Sequence, residues 1–269
     1  MGKQAILLVH FGTSRMDALE RVVWAVERET RAAYPGWEVR GAFTNRVLLQ
    51  ILQKHGIQLQ QVPEALNALK AEGCRRVIIQ PTYVICGEEY EKLRSLAETY
   101  RMHFAQLAVG RPLLSSTEDM RKICRFCARE FPRKEGEALV LMGHGTTYFA
   151  NAVYPAMGYL FLEMGFDRIF IGVTEGYPDI SVVRRELKRS AVRKVTLAPL
   201  LLTAGGHAIN DMAGDGPDSW KSLLKSDGYE VETVMRGLGE YSEVRVRYLD
   251  HIRDAISELE EGAAENRNI

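Results

Sequence analysis

The sequence predicts an α/β protein with two similar open parallel-sheet domains, each doubly wound with helices on both faces of its sheet. Two observations support this prediction. Short strand-like runs alternate with longer amphipathic stretches along the whole chain, and the second half repeats the pattern of the first. Strand–helix alternation favours parallel sheets that are covered on both faces. The repeat favours two four-stranded sheets over one closed eight-stranded barrel.

Runs rich in aliphatic residues predict the strands, and stretches with a helical period predict the helices. The strands are expected at 5–9, 38–44, 76–80, 104–109, 138–142, 169–173, 195–200 and 231–235. The helices are expected at 17–33, 46–54, 63–71, 88–101, 117–130, 151–164, 180–190, 218–226 and 241–260. The last of these helices could pack back on the first domain.

An internal repeat places the domain boundary. Residues 5–14 (AILLVHFGTS) align with residues 138–147 (ALVLMGHGTT), and residues 76–81 resemble residues 194–199. Phe131 and Pro132 then interrupt the amphipathic pattern before the second copy begins, as a proline ends a helix. We therefore expect an N-terminal domain over 1–133 and a C-terminal domain, with the metal site described below, over 134–269.

Composition excludes several classes of protein. The chain has 269 residues, of which 46% are hydrophobic, and its 35 basic residues balance its 35 acidic ones. A neutral chain argues against a general nucleic-acid binder, and no apolar run is long enough to span a bilayer. The first apolar run, 5–9, is too short for a signal peptide, so a cytoplasmic location is expected. Four cysteines are too few for a disulfide framework.

Three polar side chains follow adjacent strands of the second half. In open α/β sheets, ligands bind beyond the carboxyl ends of the strands, and His144, Glu175 and His207 occupy such positions. One histidine after a strand is more often a structural residue, but three such groups together favour a site. Two imidazoles and a carboxylate suit Zn, Co, Ni or Fe, and they suit acid–base chemistry equally.

Glycines surround both of these histidines. Gly143 and Gly145 flank His144, and Gly205 and Gly206 precede His207. Glycine permits sharp backbone bends, and without side chains there a large flat ligand could approach the main chain closely.

Other candidates have simpler interpretations. His10 ends the first strand, but the repeat aligns it with Gly143 and places Phe11 opposite His144. Cys124 and Cys127 lie three residues apart on one helical face and are expected to be a packing pair. The Gly-Thr-Ser of 12–14 could cradle a phosphate at a helix start, but it matches no P-loop or dinucleotide-binding pattern. A helix N-cap at Thr13 or Ser14 is a sufficient explanation.

Several motifs resemble one known family. The stretches LMGHGT (141–146), VTEGYP (173–178) and PLLLTAGGHAINDM (199–212) resemble those of the class II tetrapyrrole chelatases. FGTS (11–14) and PTYVICGEEY (81–90) fit the subfamily that inserts cobalt into sirohydrochlorin in the anaerobic pathway to cobalamin. The resemblance covers essentially the whole chain, and the stretch from Pro199 to Met212 is its most specific part.

The resemblance implies a lyase-type metal chelatase with an active-site cleft between the two domains. His144, Glu175 and His207 would then be both the metal ligands and the catalytic, proton-accepting groups. The chain departs from the family pattern at two positions. Tyr83 stands where many relatives would have a histidine, and His10 stands where a small residue is expected, so both are possible extra contributors.

The implied substrates are a divalent metal and a tetrapyrrole, with no organic cofactor. Sirohydrochlorin carries eight carboxylates, which favours basic and hydroxyl groups around its site. The substrate-binding candidates, from both halves, are Thr13, Ser14, Arg15, Arg46, Glu89, Gly205 and Gly206. No nucleic-acid or membrane partner is expected, and a homo-oligomer is possible.

Three alternatives stay open at this point. Iron insertion, which gives sirohaem, and nickel insertion use the same ligand types, because these ions prefer similar sites. A non-catalytic metal or tetrapyrrole carrier could use the same scaffold, since a fold does not fix a function. Co²⁺ is the expected substrate metal, with Fe²⁺ or Ni²⁺ as the other candidates.

Overall fold

The computed structural model describes residues 2–13 and 15–265, with side chains described as far as residue 262. Ser14, one of the substrate-binding candidates, lies outside the described residues. Each predicted strand is present, with ends that shift by a few residues. The strands are β1 (Lys3–His10), β2 (Glu38–Phe43), β3 (Cys74–Pro81), β4 (Gln106–Val109), β5 (Glu137–Gly145), β6 (Ile169–Glu175), β7 (Lys194–Pro199) and β8 (Glu230–Thr233).

The predicted helices are also present. They are α1 (Met16–Ala18), α2 (Trp24–Ala33), α3 (Arg46–Lys54), α4 (Val62–Ala71), α5 (Glu88–Tyr100), α6 (Thr117–Glu130), α7 (Val153–Glu163), α8 (Ile180–Lys188), α9 (Trp220–Ser226) and α10 (Ser242–Glu265). A π-helical segment, Leu19–Val23, joins α1 to α2. A second one, His207–Met212, occupies a stretch that has no predicted helix.

The strands form two parallel four-stranded sheets. Their orders are β2-β1-β3-β4 and β6-β5-β7-β8, so each position in one sheet has its counterpart four strands later in the other. The prediction of two similar open sheets is thereby confirmed, and the closed barrel is excluded. In the central strand β1, the side chains from Ala5 to Val9 are buried on both faces of the sheet, as expected for a covered parallel sheet.

The repeat extends to individual hydrogen bonds. The amide of Thr82 donates to the carbonyl of Val9 over 2.9 Å, and the amide of Leu200 donates to that of Met142 over 2.8 Å. Gly12 and Gly145, which the repeat aligns, both have positive φ, at 95° and 85°. The two sheets therefore end in the same way after their central strands.

The boundaries of the compact units differ from those expected at 133 and 134. One unit contains the chain up to Leu113 together with the chain from Ser242 onward, and the other spans Leu114–Tyr241. Helix α6 therefore belongs to the second unit. There it packs against α7, and Cys124 and Cys127 are buried.

Helix α10 follows the second sheet in sequence but belongs to the first unit. It contacts β3, β4 and α2 of the first unit, and the Tyr248 hydroxyl donates to the carbonyls of Thr82 and Tyr83. The break at Phe131 and Pro132 ends α6, whereas the compact units divide after Leu113 and after Tyr241, so that only the first unit is completed by a segment distant in sequence. Across the described residues, no helix combines the length and the apolar character that crossing a bilayer requires.

Candidate active site

The end of β5 presents His144 between two glycines with different roles. Gly145 has positive φ, and a Cβ there would lie 1.8 Å from the carbonyl oxygen of Glu175. Only glycine fits this position. A Cβ on Gly143 would lie 2.4 Å from the ring of Tyr154, so Gly143 is required by packing rather than by backbone conformation.

The His144 imidazole has one nitrogen engaged and one available. The Nδ1 atom lies 3.0 Å from the carbonyl oxygen of Gly145. The main-chain carbonyl of His144 accepts a hydrogen bond from the Thr174 hydroxyl at 2.8 Å. Because a carbonyl oxygen can only accept, Nδ1 carries the proton. The lone pair of Nε2 is therefore free to bind a metal or a proton, and the side chain is exposed.

His207 is held in the same tautomer by a different partner. It begins the π-helical segment, and its Nδ1 lies 2.5 Å from Oδ2 of Asp211. A carboxylate oxygen accepts this hydrogen bond, so in the neutral imidazole Nε2 again has the free lone pair. The side chain of His207 is 43% exposed.

The two imidazoles lie next to each other. Their ring centroids are 4.7 Å apart and their planes are nearly perpendicular, at 89°. Glu175 ends the neighbouring strand, where it pairs with Gly145, and it is exposed. The structure therefore brings His144 and His207 together and places Glu175 at the adjoining strand end.

A complete metal cage is not formed by these side chains as they stand. Within residues 2–13 and 15–265, no three His, Cys, Asp or Glu side chains are gathered closely enough to hold a metal ion. The three-residue ligand set therefore remains a prediction, and it requires the exposed carboxylate of Glu175 to turn towards the two histidines.

Gly205 and Gly206 differ from the expectation of a sharp bend. Gly206 has φ of −51°, in the ordinary right-handed region, so its backbone does not require glycine. A Cβ on Gly206 would meet no atom within 4 Å, and one on Gly205 would meet only the Thr203 hydroxyl at 3.6 Å. Open space, rather than conformation, distinguishes these positions, which is compatible with the close approach of a flat ligand.

His10 lies in the interior of the first unit. It is 1% exposed, its Nδ1 lies 2.9 Å from the Thr82 hydroxyl, and its Nε2 lies 3.8 Å from the carboxylate of Glu27. Burial lowers the pKa of His10 to about 3. These surroundings are typical of a neutral, packed histidine. They do not support a role for His10 as an extra metal ligand.

Tyr83 and Glu89 lie after β3. Tyr83 is buried, and its burial raises the pKa of its hydroxyl. Glu89 lies in the first turn of α5 and forms an ion pair with Lys92 at 3.0 Å. Glu89 remains accessible to a ligand, whereas the Tyr83 side chain belongs to the core of the first unit.

The remaining candidates of the first unit differ in accessibility. Thr13 is 8% exposed, and its hydroxyl accepts from the amide of Arg15 at 3.3 Å. The Arg15 guanidinium pairs with Asp17 at 2.6 Å, which lowers the pKa of that carboxyl. Arg46 is exposed at the start of α3, and no ion pair engages it within the described part of the chain.

Sequence reasoning missed the residues that orient the site. Asp211 stands four residues after His207, a spacing that brings side chains together on a helix, but the stretch was not expected to be helical. Asn151 and Tyr154 both contact the His144 loop. No pattern in the sequence distinguishes them from surface and core residues of a helix.

Comparison with known proteins identifies the family. Residues 4–257 match the family model described as "Cobalt chelatase (CbiK)". The chain belongs to this cobalt chelatase family. The resemblance to the class II tetrapyrrole chelatases is thus confirmed over nearly the whole length of the chain.

Two relatives match this chain over nearly their whole length. A sirohydrochlorin cobaltochelatase of Salmonella typhimurium is 35% identical, with 97% of this chain and all of the relative covered. The sirohydrochlorin cobaltochelatase CbiKC of Nitratidesulfovibrio vulgaris is 34% identical, with 97% and 93% covered. The solved structure of SirB from Bacillus subtilis with Fe³⁺ has a TM-score of 0.65 at 17% identity, with 94% and 95% covered. This last likeness concerns the fold alone.

Proposed function

We propose that the protein is a sirohydrochlorin cobaltochelatase, which inserts Co²⁺ into sirohydrochlorin in the anaerobic pathway to cobalamin. The observation that carries the proposal is the pair His144 and His207, whose rings meet at 4.7 Å with both Nε2 lone pairs available. Membership of the cobalt chelatase family supports metal insertion as the reaction at this pair. The Salmonella and Nitratidesulfovibrio relatives bear the same activity in their names.

The donor set suits a metal that is bound and then released. Imidazole nitrogens and a carboxylate are good ligands for Co²⁺. His144, His207 and a reoriented Glu175 would provide three of them and leave other coordination positions open. An open site can transfer its ion, whereas a closed four-ligand cage holds it.

Metal insertion releases two protons from the ring. Free sirohydrochlorin has two inner N–H groups, and the binding of Co²⁺ by all four nitrogens is complete only when both protons have left, so ion transfer and proton release proceed together. When Co²⁺ moves from the imidazoles to the ring, the Nε2 lone pairs of His144 and His207 become free. Each can then accept one ring proton, so that the imidazoles exchange the metal for protons.

The tetrapyrrole must be held while its ring is distorted. Contacts with the peripheral carboxylates can provide the binding energy that this distortion requires. Among the candidates, Arg46 is the most suitable first-unit cation, because its guanidinium is exposed and has no ion-pair partner in the described chain. On the second unit, a Cβ on Gly205 or Gly206 would lie in open space, which supports the approach of a flat ring at these positions.

The test is anaerobic metallation followed by visible absorption. Sirohydrochlorin and Co²⁺ are mixed with the wild-type protein, with His144→Ala or with His207→Ala, and Fe²⁺ and Ni²⁺ are run in parallel. We expect the wild type to accelerate cobalt insertion above the protein-free rate and both variants to lose most of this acceleration. Faster insertion of Fe²⁺ than of Co²⁺ would instead assign a ferrochelatase.

Two outcomes would contradict the proposal. If the ring binds but the wild type does not accelerate metallation, the protein is a carrier. If metallation is accelerated equally by both variants, the reaction occurs elsewhere and the paired histidines are structural. Wild-type thermal stability in both variants, measured by circular dichroism, is the control for folding.

A further inference from the structure

Asn151 lies between the two strand ends that present His144 and Glu175. Its side-chain oxygen accepts a hydrogen bond from the amide of Thr146 at 3.1 Å. Its side-chain nitrogen donates to the carbonyl of Tyr177 at 2.5 Å. Thr146 follows His144 by two residues, and Tyr177 follows Glu175 by two residues. One amide group thus joins the loop after β5 to the loop after β6.

This connection begins where the sheet stops. The last paired residues of β5 and β6 are Gly145 and Glu175. Beyond them the Asn151 amide provides the next bridge between the two chain segments. It also packs directly on the turn after Glu175, because a Cβ on Gly176 would lie 3.2 Å from Oδ1 and 3.3 Å from Nδ2.

The two bonds require both ends of an amide. Thr146 offers an N–H donor and Tyr177 offers a carbonyl acceptor, so the bridging side chain must accept at one atom and donate at another. A carboxylate lacks the donor, and an aliphatic side chain lacks both groups. Asn151 is half-buried in the turn before α7, so its size alone contributes little to the core.

The first unit has no such bridge at the matching position. The alignment that relates Gly12 to Gly145 places Ala18 opposite Asn151, and Ala18 is a buried residue of α1. An alanine has no side-chain hydrogen-bonding group. Among the described residues of the repeat, the bridge therefore occurs in the half that carries the two histidines, beside the proposed site.

We propose that Asn151 is a positioning residue that sets the spacing between His144 and Glu175, and through it the affinity and coordination geometry of the bound Co²⁺. This inference rests on the proposed metal site. Loss of the bridge would let the two loops move apart beyond the last sheet pair. Residues that orient metal ligands typically change metal affinity by about 10- to 100-fold when replaced.

The experiment measures Co²⁺ binding by the full chain without tetrapyrrole, from the visible absorption of the bound ion. The variants are Asn151→Leu, which keeps the approximate size of the side chain but removes both hydrogen bonds, and Asn151→Ala. Asn67→Leu, an exposed asparagine of α4 in the first unit, is the matched control. We expect both Asn151 variants to weaken Co²⁺ binding about tenfold and to alter the absorption bands. Asn67→Leu should match the wild type.

A kinetic measurement separates positioning from general damage. The KM for Co²⁺ should rise in the Asn151 variants, while the KM for sirohydrochlorin stays at the wild-type value. Unchanged Co²⁺ affinity and absorption bands in both variants, with His144→Ala impaired, would overturn the positioning role alone. Unchanged Co²⁺ binding in His144→Ala would overturn the proposed metal site, and the role of Asn151 with it.

Discussion

The Nδ1 atom of His207 donates to Oδ2 of Asp211 at 2.5 Å, from one turn of a π-helix to the next. This bond fixes which ring nitrogen faces the ligand, because a protonated Nδ1 leaves the lone pair on Nε2. It also restricts rotation of the ring, whose centroid lies 4.7 Å from that of His144. Asp211 thus orients one of the two proposed metal ligands without contacting the metal itself.

Replacing Asp211 by asparagine should weaken Co²⁺ binding and slow metallation. An amide is a weaker acceptor than a carboxylate and can also donate to Nδ1, which would favour the wrong tautomer. We expect Asp211→Asn to lower Co²⁺ affinity and the metallation rate by about 10- to 100-fold. Asp215→Asn is the control, since Asp215 is 97% exposed and pairs with Lys221. Equal losses in both variants would show a general charge effect instead.

Replacement by alanine should affect stability at one glycine of the site and ring binding at another. A Cβ at Gly145 would overlap the carbonyl of Glu175, and the positive φ at this position is unfavourable for alanine. Gly145→Ala should therefore lower the free energy of unfolding by about 2 kcal/mol or more. Gly206→Ala has open space and ordinary φ, so stability should be retained while sirohydrochlorin binds more weakly. Urea unfolding and ring titration measure the two effects.

The outcome at Gly206 tests where the ring approaches. If Gly206→Ala binds sirohydrochlorin as tightly as the wild type, the open space beside His207 is not used by the ring. If Gly145→Ala unfolds at the wild-type urea concentration, the loop after β5 adapts more easily than its close contact with Glu175 indicates.

The proposed ligands could be identified from the sequence because their position follows from strand order. His144, Glu175 and His207 each follow a strand-like run, and the carboxyl ends of parallel strands lie at one edge. Asp211 and Asn151 could not be identified in this way. The segment from His207 to Met212 follows two glycines, which predict a loop, and the role of Asn151 depends on backbone atoms of two separate loops.

The unit boundaries could not be read from local pattern either. Pro132 marks the end of α6 correctly, but which sheet α6 covers depends on contacts with α7 that lie distant in sequence. For α10, packing on the first domain is one of the expected arrangements, and its Tyr248 does reach the carbonyl of Thr82, but the local pattern alone does not decide it. Such exchanges leave the strand and helix pattern unchanged, so that pattern predicts the sheets but not the layer that each helix joins.

Arg46 and Arg15 should contribute unequally to substrate binding. Arg15 is bound to Asp17, so part of its charge is already neutralised, whereas Arg46 is exposed and unpaired in the described chain. We expect Arg46→Ala to raise the KM for sirohydrochlorin about tenfold, the loss of one charge-assisted contact, with kcat nearly unchanged. Arg15→Ala should change the KM less. A larger effect from Arg15→Ala in steady-state kinetics would reverse this assignment.

His10 should make the stability of the protein depend on pH. Burial lowers its pKa from 6.5 to about 3 in the folded state, so below about pH 6.5 the unfolded chain takes up a proton that the folded protein does not. The contribution of His10 to the free energy of unfolding is therefore fully present above about pH 6.5. It is lost as the pH falls towards 3, by up to about 1.4 kcal/mol per pH unit. His10→Asn removes this group.

Urea unfolding of the wild type and of His10→Asn at intervals between about pH 7 and pH 4 measures this difference. The wild-type free energy of unfolding should fall more steeply with acid than that of the variant. His55→Asn, at the exposed end of α3, should follow the wild-type curve. Parallel curves for the wild type and His10→Asn would mean that His10 takes up a proton in the folded state, with the Glu27 carboxylate 3.8 Å away as its partner.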